Sequence, residues 1–214
     1  MASVGRSVEF VYDFVSTPCH IAWKSLGPMA REIGAEVILT PVLCGGIFKT
    51  IGNPGPLAVP AKREWYARDL ALWARRRGVT LVQSAFLPIR SLPLMRGSFV
   101  AAERNETFRY VDSVFDAIYV HGRDLSDLKL VDATLREAGL DADAYLQGMQ
   151  REDVKQKLLH STEQAIARRV FGVPTFFVND ELFFGQDRLE FVVEALQRNA
   201  SRPSLPRIWR ATRA

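Results

Sequence analysis

Residues 8–20 read VEFVYDFVSTPCH, and this stretch decides the fold. Positions 8–14 mix β-branched and aromatic residues with little interruption, the pattern of a strand buried on both faces. Ser16 and Thr17 then supply helix-capping chemistry, and Pro18 suits an early helical position. From Cys19 the spacing turns helical, through Ile21, Ala22 and Leu26. A polar side chain at such a strand–helix junction faces unpaired backbone N–H groups and the positive end of the helix dipole. An anion, a thiolate included, is stabilised there. Ser16 is therefore the first candidate site residue, with Cys19 three positions on; an ordinary helix cap would read the same way.

Working outward, Gly27-Pro28 interrupts the first helix and Gly34 ends it. A second strand follows over 36–42, EVILTPV, so the opening is a βαβ unit with parallel strands. Cys44-Gly45-Gly46 breaks the pattern, and Cys44 reads as a small apolar residue near a strand end. Gly52, Pro54, Gly55, Pro56 and Pro60 exclude helix and inner strand from the next stretch. Asn53 before Pro54 suits a turn there, and the loop leads to Lys62 at the start of a helix over 63–77. A cation at a helix N-terminus opposes the dipole, which leaves Lys62 either a chance placement or a ligand-binding group. Further helices are expected over 96–121 (as one long helix), 128–138 (capped by Ser126 or Asp127), 143–149 and 153–170. The strands return at the end. TFFV and ELFF flank the two-residue turn Asn179-Asp180, a hairpin signal, and Gly185-Gln186-Asp187-Arg188 opens a last helix to about residue 199. The order is β-α-β, a large helical insert, then β-β-α. This divides the chain into a discontinuous α/β domain of residues 7–51 plus 170–200, an inserted helical domain of 52–169, and a basic tail of 201–214.

Composition narrows the function classes. The chain has 214 residues, 48% hydrophobic and 24% charged, enough for one good core. Two cysteines, Cys19 and Cys44, make no disulfide framework, and no metal-ligand pattern appears. No apolar run reaches the ~20 residues a membrane span needs. No long apolar segment precedes Val8, so a cytoplasmic, reducing setting is the expectation. The net charge of +4 is owed partly to Arg202, Arg207, Arg210 and Arg213 in the tail. No stacking platform or recognition motif accompanies these arginines, so a solvated tail is expected rather than a nucleic-acid site.

The element order is that of a thioredoxin-like fold with a helical insertion. The segment YDFVSTPCHIA resembles the DsbA active-site segment, with Ser16 in place of the first cysteine of the Cys-x-x-Cys pair and Cys19 at the second. Val173-Pro174-Thr175 resembles the cis-proline loop that faces this site. VFGVPTFFVNDELFFGQDRLEFVVEAL resembles the 2-hydroxychromene-2-carboxylate isomerases, the glutathione-dependent relatives of kappa-class glutathione transferases. YVHGRDLSD, over 119–127, resembles that family's insert. The chain departs from the pattern where Thr17-Pro18 replaces Pro-aromatic and where Cys19 and His20 follow.

The resemblance implies a DsbA/kappa-transferase-like enzyme with glutathione as cofactor and a small aromatic substrate. It further implies a homodimer without nucleic-acid or membrane partners. Ser16 would hold the glutathione sulfur as thiolate; Val173, before cis-Pro174, would pair with the cysteinyl backbone. Asp187 would bind the γ-glutamyl amine and Gln186 its carboxylate. Lys62 would meet the glycyl carboxylate, and Asn53 would anchor the middle of the tripeptide. The implied reaction interconverts 2-hydroxychromene-2-carboxylate-type compounds and trans-o-hydroxybenzylidenepyruvates. Lys49 is a candidate cation for the substrate carboxylate, and His20 is a proton shuttle or a structural histidine. The alternatives are a kappa-like transferase or peroxidase, a DsbA-like oxidoreductase working through Cys19, and a non-catalytic binding scaffold.

Overall fold

A computed structural model gives the fold and describes residues 6–82, 84 and 86–198. The tail over 201–214, and the end expected near residue 199 for the last helix, lie outside the described residues. In chain order the elements are β1 (Ser7–Tyr12), α1 (Thr17–Glu32), β2 (Glu36–Pro41), α2 (Cys44–Ile51), α3 (Pro60–Arg77), α4 (Leu92–Glu103) and α5 (Thr107–Tyr119). There follow α6 (Leu128–Glu137), α7 (Ala142–Gly148), α8 (Glu152–Ala167), β3 (Thr175–Val178), β4 (Glu181–Phe184), a 3₁₀ turn (Gln186–Arg188) and α9 (Leu189–Gln197). The strands form one sheet in the order β2-β1-β3-β4. β1 runs parallel to β2 and antiparallel to β3, and β3 and β4 close the expected hairpin.

The central strand β1 joins both ends of the chain. Its side chains alternate between faces, as a pleated strand requires. Phe10 stacks on Trp23 of α1 with ring centroids 6.3 Å apart and on Phe176 of β3 at 5.4 Å. On the opposite face Glu9 receives a bidentate pair from Arg168, just past α8, at 2.8 and 2.7 Å. An aromatic chain continues from β1 into the inserted helices: Tyr12 to Phe14 at 5.4 Å, Phe14 to Phe115 of α5 at 4.8 Å, and Tyr110 to Tyr145 of α7 at 5.1 Å. Sheet and insert therefore share a continuous apolar core.

Three local expectations are corrected. Gly27-Pro28 does not interrupt α1, which runs unbroken with Pro28 inside it. Pro28 lies on the exposed face while Leu26 and Ala30 are buried, so packing holds the turn that proline weakens. Cys44-Gly45-Gly46 is not the end of a strand but the first turn of α2. The long helix over 96–121 is two helices, α4 and α5, separated where Asn105 takes the left-handed conformation at φ 57°. Of the two candidate caps for α6, Asp127 accepts from Lys129 N at 2.9 Å, while Ser126 Oγ accepts from Arg90 N at 3.2 Å.

Candidate active site

The junction between β1 and α1 is built around a buried carboxylate. Asp13 is fully buried, and its carboxylate accepts from Val15 N at 3.1 Å and from Cys44 N at 2.8 Å. One side chain thus ties together the junction and the start of α2. Burial pushes the Asp13 carboxyl above the usual carboxylate range, while these hydrogen bonds oppose that shift. The signal was present in sequence: Asp13 is an ionisable residue inside an otherwise apolar run.

Ser16 is the N-cap of α1, with its backbone extended at φ −94°, ψ 107°. Its Oγ accepts from Cys19 N at 3.4 Å and donates to Val173 O at 3.3 Å. Both bonds are long for their type, so the hydroxyl proton is held loosely. No acidic side chain occupies the first turn of α1. The Val173-Pro174 peptide bond is cis, as the loop's resemblance implies. Ser16 and Val173 are thereby joined although 157 positions separate them.

The cis-proline loop in turn carries the head of α9. Pro174 O accepts from Gly185 N at 3.0 Å, and Gln186 and Asp187 follow directly. Gly185 has φ 106°, and a Cβ there would run into Asp187 Oδ1, so glycine is needed for the fold-back of that carboxylate. Gln186 is buried, whereas Asp187 is half-buried and pairs with Arg188 at 3.0 Å. Asp69 on α3 lies within electrostatic reach of Asp187. A buried amide beside acidic groups suits a zwitterionic amino-acid head, the amide taking the carboxylate and the acids the ammonium.

The remaining expected residues are less closely assembled. Asn53 Nδ2 donates to Phe171 O at 3.5 Å, and Asn53 Oδ1 accepts from Gly55 N at 2.9 Å, so Asn53 joins the loop after α2 to the stretch before Val173. Lys62 is exposed in the first turn of α3, and Lys49 is exposed near the end of α2. No described contact ties either lysine to Ser16. On the same helix, one turn beyond Lys62, Tyr66 faces inward; Tyr66 and Asp69 are the site neighbours that the sequence reading missed. Their spacing of four and seven residues from Lys62 was the available signal, since it places all three along one helix face.

Cys19 is fully buried and Cys44 is 5% exposed. Burial pushes the Cys19 thiol far up, and it pushes the Cys44 thiol up to about 12. His20 is buried as well, stacked on Tyr119 at 5.0 Å, with Nε2 2.9 Å from Thr80 O. Burial lowers its pKa, so it is neutral with Nε2–H donating. This is the structural histidine of the two alternatives. Among the described residues no group of three or more His, Cys, Asp or Glu side chains is placed to hold a metal, and no helix is long and apolar enough to cross a membrane.

A DSBA-like thioredoxin domain model matches residues 7–197. The chain belongs to the DSBA-like thioredoxin family. It is 29% identical to the 2-hydroxychromene-2-carboxylate isomerase of Pseudomonas putida over 89% of this chain and 94% of that one. It is 30% identical to the isomerase of the same name from Pseudomonas sp. (strain C18), covering 87% and 88%. The human glutathione S-transferase kappa 1 is 25% identical, covering 97% of this chain and 98% of its own. A solved structure of 2-hydroxychromene-2-carboxylate isomerase superposes with a TM-score of 0.81 at 28% identity, over 89% of this chain and 94% of that one. The relatives support an isomerase with the kappa-class transferases as its kin.

Proposed function

We propose that this member of the DSBA-like family is a glutathione-dependent cis–trans isomerase of aromatic catabolism, acting on 2-hydroxychromene-2-carboxylate-type compounds and trans-o-hydroxybenzylidenepyruvates. The carrying observation is the Ser16 hydroxyl at the head of α1, 3.3 Å from the carbonyl before cis-Pro174. The substrate class is taken from the names of the isomerase relatives, and the glutathione requirement from its kappa-transferase relatives. Glutathione supplies a thiol whose anion adds reversibly to a conjugated double bond and so frees that bond to rotate.

The chain's own residues bind and orient. Ser16 turns its loosely held proton from Val173 O toward the sulfur, and the field of α1 favours the anion over the thiol. Val173 offers backbone to an extended peptide, in the manner of an added strand. Gln186 and Asp187 take the amino-acid head; Lys62 and Asn53 serve the other end of the tripeptide. A serine in this place forms no mixed disulfide with a bound thiol, and the nearest protein thiol, Cys19, is buried and protonated. Both facts speak against the oxidoreductase reading. A homodimer and the division into a discontinuous α/β domain with an inserted helical domain belong to the same proposal.

The test is isomerisation of trans-o-hydroxybenzylidenepyruvate with and without catalytic glutathione. Turnover should require glutathione, leave it unconsumed, and fall by an order of magnitude or more in Ser16→Ala. Turnover unchanged without glutathione would overturn the proposal. The second reading, a kappa-like transferase, is favoured by the full-length match to the human enzyme. It requires stoichiometric loss of glutathione with an electrophile.

A further inference from the structure

The sequence contains five tyrosines. Four are fully buried, and their hydroxyls are committed inside the chain: Tyr12 to Ser98 Oγ at 2.9 Å, Tyr110 to Leu94 O at 2.7 Å, Tyr119 to Phe14 O at 2.9 Å and Tyr145 to Glu106 at 3.2 Å. Tyr66 is the exception. It is half-buried, and its hydroxyl bonds to no group among the described residues.

Its position is set by the inner face of α3. Leu70 and Ala74, one and two turns on, are buried against Ile21 of α1, and the Tyr66 ring packs on the same cluster. Arg77, at the end of that face, pairs with Glu190 of α9 at 2.7 Å. Between these anchors the Tyr66 hydroxyl is within electrostatic reach of the Cys19 and Cys44 thiols and of Tyr119, the groups that flank Ser16 and Val173. Lys62 lies one turn before it and Asp69 one turn after. Tyr66 thus packs against α1 from α3, with its hydroxyl close to the groups around the junction. Burial pushes the phenol up, so it keeps its proton at neutral pH and acts as a donor.

We propose that Tyr66 is a substrate-binding residue whose hydroxyl donates a hydrogen bond to the keto oxygen of an aryl-conjugated 2-keto acid, holding the conjugated system across from Ser16. A neutral, partly desolvated donor suits a carbonyl that becomes more negative as its conjugated double bond is attacked. The proposal rests on the isomerase reading for its substrate class.

The experiment uses two probes without glutathione: benzylidenepyruvate, which has the ketone, and 4-phenylbut-3-enoate, which has a methylene in its place. Calorimetry on the wild-type chain and on Tyr66→Phe gives four dissociation constants. Tyr66→Phe should weaken benzylidenepyruvate by about three- to tenfold, as loss of one hydrogen bond does. It should leave 4-phenylbut-3-enoate within about twofold. The absorption band of bound benzylidenepyruvate should lie to the red of the free band in the wild type and lose that shift in the variant. Equal weakening of both probes would reduce Tyr66 to a packing role, and no weakening of either would remove it from the site; either result overturns the proposal. Glutathione binding, titrated separately, should be the same in Tyr66→Phe as in wild type. Loss of glutathione binding in the wild type would instead count against the isomerase reading, whatever the probes show.

Discussion

Ser16 and Cys19 sit one helical turn apart, yet one is within reach of solvent and the other is sealed in. A thiol's reactivity follows its thiolate fraction, and burial suppresses that fraction at both Cys19 and Cys44. The native protein should therefore react with well under one equivalent of a disulfide reagent such as dithionitrobenzoate over minutes, and with both thiols once unfolded in guanidinium. Cys19→Ala should retain isomerase turnover. A fast-reacting thiol in the native chain would refute the assignment of Cys19 as packing. The N-cap at Ser16 was legible because capping chemistry is local, whereas Val173, Pro174, Gln186 and Asp187 were named through the resemblance, since nothing local tells that a bond 157 positions long joins Ser16 to Val173. Tyr66 was passed over because an aromatic at helical spacing reads as core; its spacing from Lys62 was a weak hint, and the packing of α3 on α1 is what sets its hydroxyl apart from the four that are committed.

At the scale of elements, the helix that escaped the sequence reading explains itself. α2 opens with Cys44-Gly45-Gly46 and has no side-chain cap of its own at Leu43. Its free N–H groups are met from afar: Leu43 N donates to Thr162 Oγ1 at 3.0 Å and Cys44 N to Asp13 Oδ2 at 2.8 Å. Tertiary partners thus override poor local propensity. The hairpin β3–β4 and the helix α6 needed no such help, and both were read where they lie. The crossing of α4 with its neighbours depends on the absence of a side chain. A Cβ at Gly97 would strike the Tyr110 hydroxyl and lie 2.6 Å from Met149 Cε. Gly97→Ala should destabilise the chain by roughly 1–3 kcal/mol through overpacking, despite alanine's better helix propensity. Chemical denaturation checks it; an unchanged or raised midpoint would mean that α4 and α5 have room to part.

For the whole molecule, the shared core makes sheet and insert one cooperative body, and His20 sits at the meeting of its parts. It belongs to α1, bonds Thr80 after α3, and stacks on Tyr119 of α5. Lys24 faces it from its own helix, and Asp112 and Asp116 face it from α5. Its folded pKa lies below the ordinary 6.5, so between these two values the unfolded chain binds the extra proton. The stability associated with neutral His20 is full above 6.5 and is lost as pH falls through the folded value. Asp13 works in the opposite sense, its raised pKa favouring the native state as pH drops toward 3.8. The two are separated by comparison with His20→Gln, in which the amide replaces the Thr80 bond. Melting temperature should fall below pH 6.5 more steeply in wild type than in this variant; parallel curves would exclude His20 as the source.

The bond from Ser16 to Val173 has a further consequence in the cell's own order of manufacture. The ribosome makes the first of these residues early and must add 157 more before the second exists. Once β2 has been made, β1 has its parallel neighbour but still lacks β3, and the Ser16 hydroxyl lacks the carbonyl it bonds in the folded chain. A nonsense codon between α8 and Val173 therefore leaves a chain that carries its serine and most of its apolar mass but none of Val173, Gln186 and Asp187.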